Sequence, residues 1–313
     1  MVVSLPAGPD YQAASSEPVT LVIEKISPIA TAPAAAKLTY NRAAQALVTP
    51  GTLVPAAVRD NLEIKFATSA DGSFSSTIPT GTDAGEYHVW YTVEVTDNYL
   101  AITPDPTEIA DVKIQRKPIT PVVELSQLKY QYDGEWKYPG VTVKDNDDKT
   151  VLPNDEYQVT YQNNRDVGQA TVEVSDKPDG NYEIKTVEAY FQITSRAQET
   201  LNITNKPNTV VYGGQYTLET SGGSGHGIVT WEITTGKDVV ATVDPNSGHV
   251  TITGHGSATV KATKSGRDPT TGVINYDDAI AIWTLTAMKQ PVTAIVTAED
   301  KFFDGNRTAV VHA

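Results

Sequence analysis

The sequence predicts an all-β protein made of small β-sandwich domains in tandem, and three observations carry the prediction. First, apolar and polar residues alternate with a period of two. Tyr87, Val89, Tyr91, Val93 and Val95 are interleaved with His88, Trp90, Thr92 and Glu94. Tyr157, Val159 and Tyr161 follow the same pattern, as do Val229, Trp231 and Ile233, then Val250 and Ile252, then Ala258, Val260 and Ala262. That period places alternate side chains on opposite faces of half-buried strands. Second, clusters of Gly, Pro, Asn and Asp cut these runs at short spacing, and 19 prolines are scattered through the chain. No window keeps a helical stripe; the most helix-like stretch, Ala32–Ala36, contains Pro33. Third, the chain repeats itself.

The repeat rests on three markers in a constant order. A dipeptide of Asp or Asn followed by Tyr ends at Tyr11, Tyr99, Tyr182 and Tyr276, spaced by 88, 83 and 94 residues. Each is followed by a final strand and a Lys- or Arg-bearing junction. Upstream, a glycine precedes an alternating strand in Asp83-Ala84-Gly85, Asp166-Val167-Gly168 and Gly254-His255-Gly256. A third marker opens each unit: Tyr40-Asn41-Arg42, Tyr132-Asp133-Gly134, Tyr212-Gly213-Gly214 and Phe303-Asp304-Gly305. In order, residues 1–26 read as the last strands of an incomplete repeat. Residues 27–117, 118–195 and 196–289 read as three full repeats, and 290–313 as the start of another. The chain reads as a window on a longer array.

Composition narrows the function. There are 24 basic and 38 acidic residues in 313, a net charge of −14, which argues against a nucleic-acid surface. Half of that excess lies in 118–195, with 14 acidic and 7 basic residues. No cysteine is present, so disulfides, thiolate nucleophiles and Cys-zinc sites are excluded. No apolar run reaches the length of a membrane span. Met1-Val2-Val3-Ser4-Leu5-Pro6 has no charged region of the kind that starts a secretory signal.

The motifs carry a family resemblance. Ser221-Gly222-Gly223-Ser224-Gly225-His226-Gly227, Val229-Thr230-Trp231-Glu232-Ile233, Gly248-His249-Val250-Thr251-Ile252 and Gly256-Ser257-Ala258-Thr259-Val260 resemble a bacterial immunoglobulin-like domain of group 2. Residues 128–193 resemble the related repeat that opens with Tyr-Asp-Gly, here Tyr132-Asp133-Gly134. Residues 37–115 resemble a divergent cousin, with Asn41-Arg42 where Asp-Gly is expected. The resemblance implies tandem Ig-like β-sandwiches arranged end to end, outside the cell, on a bacterial surface or secreted. It brings no catalytic residues and no cofactor. Short Pro-bearing links such as Lys117-Pro118 and Gln290-Pro291 suggest a semi-rigid rod longer than roughly 100 Å.

Candidate chemistry is sparse. Ser224 lies in a Gly-rich run that lacks the final Gly of a nucleophile elbow, because His226 stands there, and no helix follows to complete an elbow or a phosphate loop. His249 and His255 alone are too few for zinc. No enzyme is expected. Asp145, Asp147 and Asp148, with Asn146, form an oxygen-rich cluster that could attract calcium, and Asp176, Asp179 and Asn181 form another. A solvated hairpin turn between Val141–Val143 and Val151 explains the first cluster as well, so no metal is expected. Isopeptide cross-links between Lys and Asn or Asp are not expected either.

One surface could bind a ligand. Lys129–Tyr138 reads as a hairpin with a two-residue Asp133-Gly134 turn. In that register Leu128, Tyr130 and Tyr132 face the core, while Trp136 and Tyr138 face outward as a platform for sugar rings. The competing reading has Trp136 and Tyr138 packed. The expected partners are other repeats of the chain, with glycan or a host surface protein as a further candidate. The expected function is a spacer or stalk; an adhesin module and a linker array of a secreted carbohydrate-active enzyme are the alternatives.

Overall fold

The computed structural model describes residues 1–308 and the backbone of Val311 and His312. The segment 290–313 therefore falls partly outside the described residues, at 309, 310 and 313. The chain is all-β, with one five-residue α-helix and one 3-10 turn among the described residues. It divides into two compact units. The first holds Met1–Val123, Thr142–Val159 and Val174–Val187; the second holds Glu124–Val141, Thr160–Glu173 and Glu188–Ala313. Residues 118–195 thus contribute strands to both.

In the first unit, Ile64–Ala67, Trp90–Val93 and Thr107–Glu108 form an antiparallel sheet. A second sheet pairs Lys113–Gln115 antiparallel with Gly85–Glu86 and parallel with Leu38–Thr39. Val89, Tyr91 and Val93 point inward, as their alternation predicts; Val89 and Tyr91 meet Leu47, Val48, Phe66, Val112 and Ile114 in one core cluster, and Val93 lies in a second. Burying each such aliphatic side chain stabilises the fold by about 1.5–3 kcal/mol. The helix Pro55–Arg59 escapes any pattern analysis because it is too short to show a stripe. Proline at its start has no N–H to leave unpaired, and Ala57 packs against Leu62, Val93 and Tyr99. The stretch Ala32–Ala36 is extended rather than helical: Ala34–Ala35 pairs with Val48–Thr49.

In the second unit, the antiparallel strands Val229–Thr235, Gly256–Lys264 and Ala279–Ala287 form one sheet. Gln215–Thr217, His249–Ile252 and Ala241–Val243 form another. Trp231, Ile233, Val250, Ile252, Ala258, Val260 and Ala262 are buried together between them. With no disulfide across this sandwich, apolar burial supplies the stabilisation. Residues 1–26 and 290–308 are exposed; the terminal segments carry the two-residue ladders Ser4–Leu5 with Ala14–Ser15 and Thr297–Ala298 with Val311–His312, and Ile26 bridges Tyr99 in parallel.

The core assignment has a direct test. Trp231→Ala should lower unfolding stability by about 3–5 kcal/mol, the cost of a large cavity, read by urea denaturation. A loss below about 1 kcal/mol would contradict a buried role for this ring.

Candidate functional site

The three repeat markers converge in space, and they converge twice. In the first unit, Lys117 runs parallel to Tyr182, and its N–H donates to the carbonyl of Asn181 at 3.0 Å. The Tyr40 ring packs edge-on against Tyr182, with centroids 5.3 Å apart at 80°. The Ala84 N–H donates to Asn181 Oδ1 at 2.7 Å, and Asn181 Nδ2 donates to Asp83 Oδ1 at 3.3 Å. In the second unit, Arg196 runs parallel to Tyr276, and its N–H donates to the carbonyl of Asn275 at 3.2 Å. Tyr132 packs edge-on against Tyr276 at 5.4 Å and 83°. The Val167 N–H donates to Asn275 Oδ1 at 2.9 Å, and Asn275 Nδ2 donates to Asp166 Oδ1 at 2.9 Å.

The same clasp therefore recurs, once within each compact unit. Its parts are set by local structure. Tyr40 and Tyr132 are held by N–H bonds to the carbonyls of Gln115 and Thr194, at the end of each repeat's last strand. Gly85 and Gly168 have φ of 151° and 146°, a conformation open to glycine, which turns the preceding N–H toward the neighbouring Asn. The spacing of the markers was visible in the sequence; their meeting at one place was not.

The first junction adds an ionic cluster. Asp145 is fully buried, and its Oδ2 accepts from Lys117 Nζ at 2.5 Å and from Arg42 Nη2 at 3.2 Å. Arg42 also reaches Asp148 at 2.6 Å, Thr150 Oγ1 at 2.7 Å and the Tyr182 hydroxyl at 2.9 Å. Arg42 sits at φ 69°, where Gly134 and Gly305, at the same marker position, have 89° and 83°. A non-glycine residue there costs about 1 kcal/mol, which four side-chain bonds offset. The Thr150 N–H, followed by Arg42, holds the Asp148 carboxyl at a pKa of about 2. The hydrogen bond to Asp145 raises Lys117.

Protein groups already engage carboxylates in both oxygen-rich clusters. Asp145, Asp147 and Asp148 do lie in a tight turn between Val141–Lys144 and Val151, but the carboxylate at its centre is already engaged by two cations. In the second cluster Asp176 takes a two-pronged bond from Arg116 at 3.0 and 2.7 Å, which lowers its pKa, and Asn181 belongs to the clasp. Among the described residues no group of three or more His, Cys, Asp or Glu side chains is arranged to hold a metal ion. Ser224 Oγ accepts from the Glu199 N–H, while His226 faces Asp268 at 3.3 Å.

The aromatic pair is placed differently from the hairpin expectation. Lys129–Gln131 pairs in parallel with residues 192–194 rather than with 135–138. Asp133 Oδ1 instead closes a local turn on the Glu135 N–H, and Lys137 exchanges backbone and side-chain bonds with Asn164. A favourable Asp-Gly turn loses to a strand partner sixty residues away. Leu128, expected in the core, is exposed; Tyr130 packs on Phe191 and Tyr132 on Tyr276. Trp136 and Tyr138 are 54% and 64% exposed. The Arg165 guanidinium lies 5.8 Å from the Trp136 ring, and Tyr138 rests edge-on against Tyr161. Trp136, Arg165, Gly168 and Val273 border a cleft of about 520 Å³.

No protein-family model matches the sequence, and no curated protein matches it. Solved structures of tandem β-sandwich ectodomains are similar at low identity. A C-terminal fragment of intimin, solved with the intimin-binding domain of the translocated intimin receptor, is 16% identical with a TM-score of 0.24. That match covers 64% of this chain and 58% of the intimin fragment, so this chain spans less than two thirds of it. Protocadherin gammaB7 EC3-6 is 10% identical over 92% of this chain and 77% of its own, with a TM-score of 0.28. Mouse cadherin-23 EC22-24 is 14% identical over 86% and 97%, with a TM-score of 0.24. Among the described residues no helix is long and apolar enough to cross a membrane.

Two outcomes test the ionic cluster. Asp145→Ala should cost about 3 kcal/mol in urea unfolding, the low end for breaking a buried pair, because Arg42 and Lys117 stay partly solvated. Asp148 is depressed in the folded state, so its contribution is complete above its ordinary value of 3.8 and falls away as pH drops through about 2. An NMR titration should place its midpoint near 2. In Arg42→Ala the midpoint should rise yet stay below 3.8, since the Thr150 N–H remains; an unchanged midpoint would show that Arg42 does not act on it.

Proposed function

We propose that this chain is a non-enzymatic segment of an extracellular bacterial repeat protein, a spacer of the bacterial Ig-like kind that projects another module from a cell surface. Its repeats would be 27–117, 118–195 and 196–289, with 1–26 and 290–313 belonging to neighbouring repeats. The observation that supports this best is the recurrence of one residue-for-residue clasp at two successive junctions. Selection for a pocket would preserve one site; selection for a defined join between modules preserves the join. The net charge of −14 suits a protein that stays soluble and does not adhere to other acidic surfaces. Stretching single molecules between their ends tests the reading. Three unfolding events are expected, each freeing a chain with a contour of roughly 270–330 Å at about 3.5 Å per residue. One event releasing the whole chain would sink it.

A second reading, an adhesin module, has one observation in its favour: Trp136 and Tyr138 are solvent-exposed beside a cleft. Sugar rings stack on such faces. On a glycan array this reading expects a signal that Trp136→Ala with Tyr138→Ala abolishes while the melting temperature stays unchanged. No signal from the parent chain, or a destabilised double variant, would reject it.

A further inference from the structure

We propose that residues 196–289 carry an open half of the junction clasp, formed by the Tyr212 ring and the His255 main-chain N–H. Its occupant is the Asx-Tyr turn of a further repeat of the same kind. The inference builds on the spacer reading and names the surface through which the array continues.

The half-clasp has the same backbone frame as the filled ones. Val211 runs parallel to Met288, and the Tyr212 N–H donates to the Met288 carbonyl at 2.9 Å. Thr39 likewise runs parallel to Gln115, and Tyr40 donates to Gln115 at 2.8 Å. Gly256 pairs with Ala287, the residue before Met288, as Gly85 pairs with Ile114, the residue before Gln115. Gly256 also shares the unusual conformation, at φ 127° beside 151° and 146°. An aromatic ring and a main-chain N–H are thus presented as at Tyr40 with Ala84 and at Tyr132 with Val167.

Occupancy is what differs. Tyr40 and Tyr132 are half-buried under Tyr182 and Tyr276, whereas Tyr212 is 52% exposed. Ala84 and Val167 donate to an Asn side chain, while the His255 N–H has no hydrogen-bond partner among the described residues. Lys289 and Gln290 follow Met288 as Arg116 and Lys117 follow Gln115, so Gln290 is placed to run beside an incoming Tyr. Residues 290–313 contain no tyrosine, so the occupant is not among them.

The site also specifies what it accepts. At the filled clasps the loop supplies Asp83 or Asp166, which takes a bond from the Asn amide nitrogen. Here Gly254 stands in that place, and a Cβ would lie 2.1 Å from the Val239 carbonyl oxygen, so no side chain fits. One bond remains, from the His255 N–H to an acceptor oxygen. Asp and Asn both supply it, whereas Asp at the other junctions would face a carboxylate.

The test extends the chain. After Lys289 a second copy of 196–289 is appended, which puts Arg196 in the place of Gln290 and offers its Asn275-Tyr276 turn to Tyr212 and His255. Amide exchange at His255 is followed by NMR, with Ala84 and Val167 as protected references in the same molecule. His255 should exchange as an open amide in the original chain and at least ~10-fold more slowly in the extended one. Asn275→Ala confined to the appended copy, or Tyr212→Ala, should restore fast exchange, and Tyr212→Ala in the original chain should leave its melting temperature unchanged. Fast exchange at His255 in the extended chain, whether or not the appended copy folds, overturns the proposal. So does protection that survives Asn275→Ala. The spacer reading stands or falls separately, on the stretching experiment.

Discussion

Each junction depends on one carboxamide. Asn181 and Asn275 accept a main-chain N–H through the oxygen and donate through the nitrogen to an aspartate in the neighbouring repeat. A carboxamide does both at once because its acceptor and its donors sit on separate atoms. An aspartate would set two carboxylates against each other, and a serine would be too short to span both groups. The amide fixes the loop, the loop glycine fixes the N–H, and the following tyrosine pairs in parallel with the incoming linker. Position, orientation and strand pairing at the join follow from this one contact.

The two junctions share that frame but differ in what surrounds it. Residues 118–195 carry twice as many acids as bases, and the segment before them supplies the counter-charge. Arg42 and Lys117 meet Asp145, and Arg116 meets Asp176. Asp145, buried in a segment of net charge −7, would be costly without them. At the second junction the shared contacts are Tyr132 with Tyr276 and Asn275 with Asp166 and Val167, and among the described residues no buried ion pair accompanies them. Acid therefore acts on the first junction through Asp148 and Asp176, both held below the ordinary carboxyl range.

Much of this was legible in the sequence because strand periodicity is local. Val89, Tyr91 and Val93, and Ala258, Val260 and Ala262, are buried as their alternation requires. The markers were legible as markers, since each type keeps its place in the repeat. Their purpose was hidden because it is a contact between repeats, and residues such as Tyr40 and Asn181 lie more than a hundred positions apart. The misreading at Asp133-Gly134 has the same origin: a good local turn was outweighed by the non-local pairing of Lys129–Gln131 with 192–194. With that pairing Leu128 is exposed rather than in the core, and the exposed faces of Trp136 and Tyr138 arise from a different backbone path.

Arg42 shows how a departure from pattern carries information. Against the Tyr-Asp-Gly resemblance, Asn41-Arg42 looks like decay of the motif. The backbone has kept the left-handed conformation that glycine holds elsewhere, at φ 69°, and has placed a guanidinium on it. Strain of that kind persists where surrounding contacts over-determine it. Here they are Asp145, Asp148, Thr150 and the Tyr182 hydroxyl, all beyond the segment that contains Arg42. Glycine at this place would relax the backbone and leave Asp145 with Lys117 as its one cation, beside the Asp147 N–H. The substitution exchanges local ease for a tie to the next repeat, which is the same priority that the amide clasp expresses in neutral form.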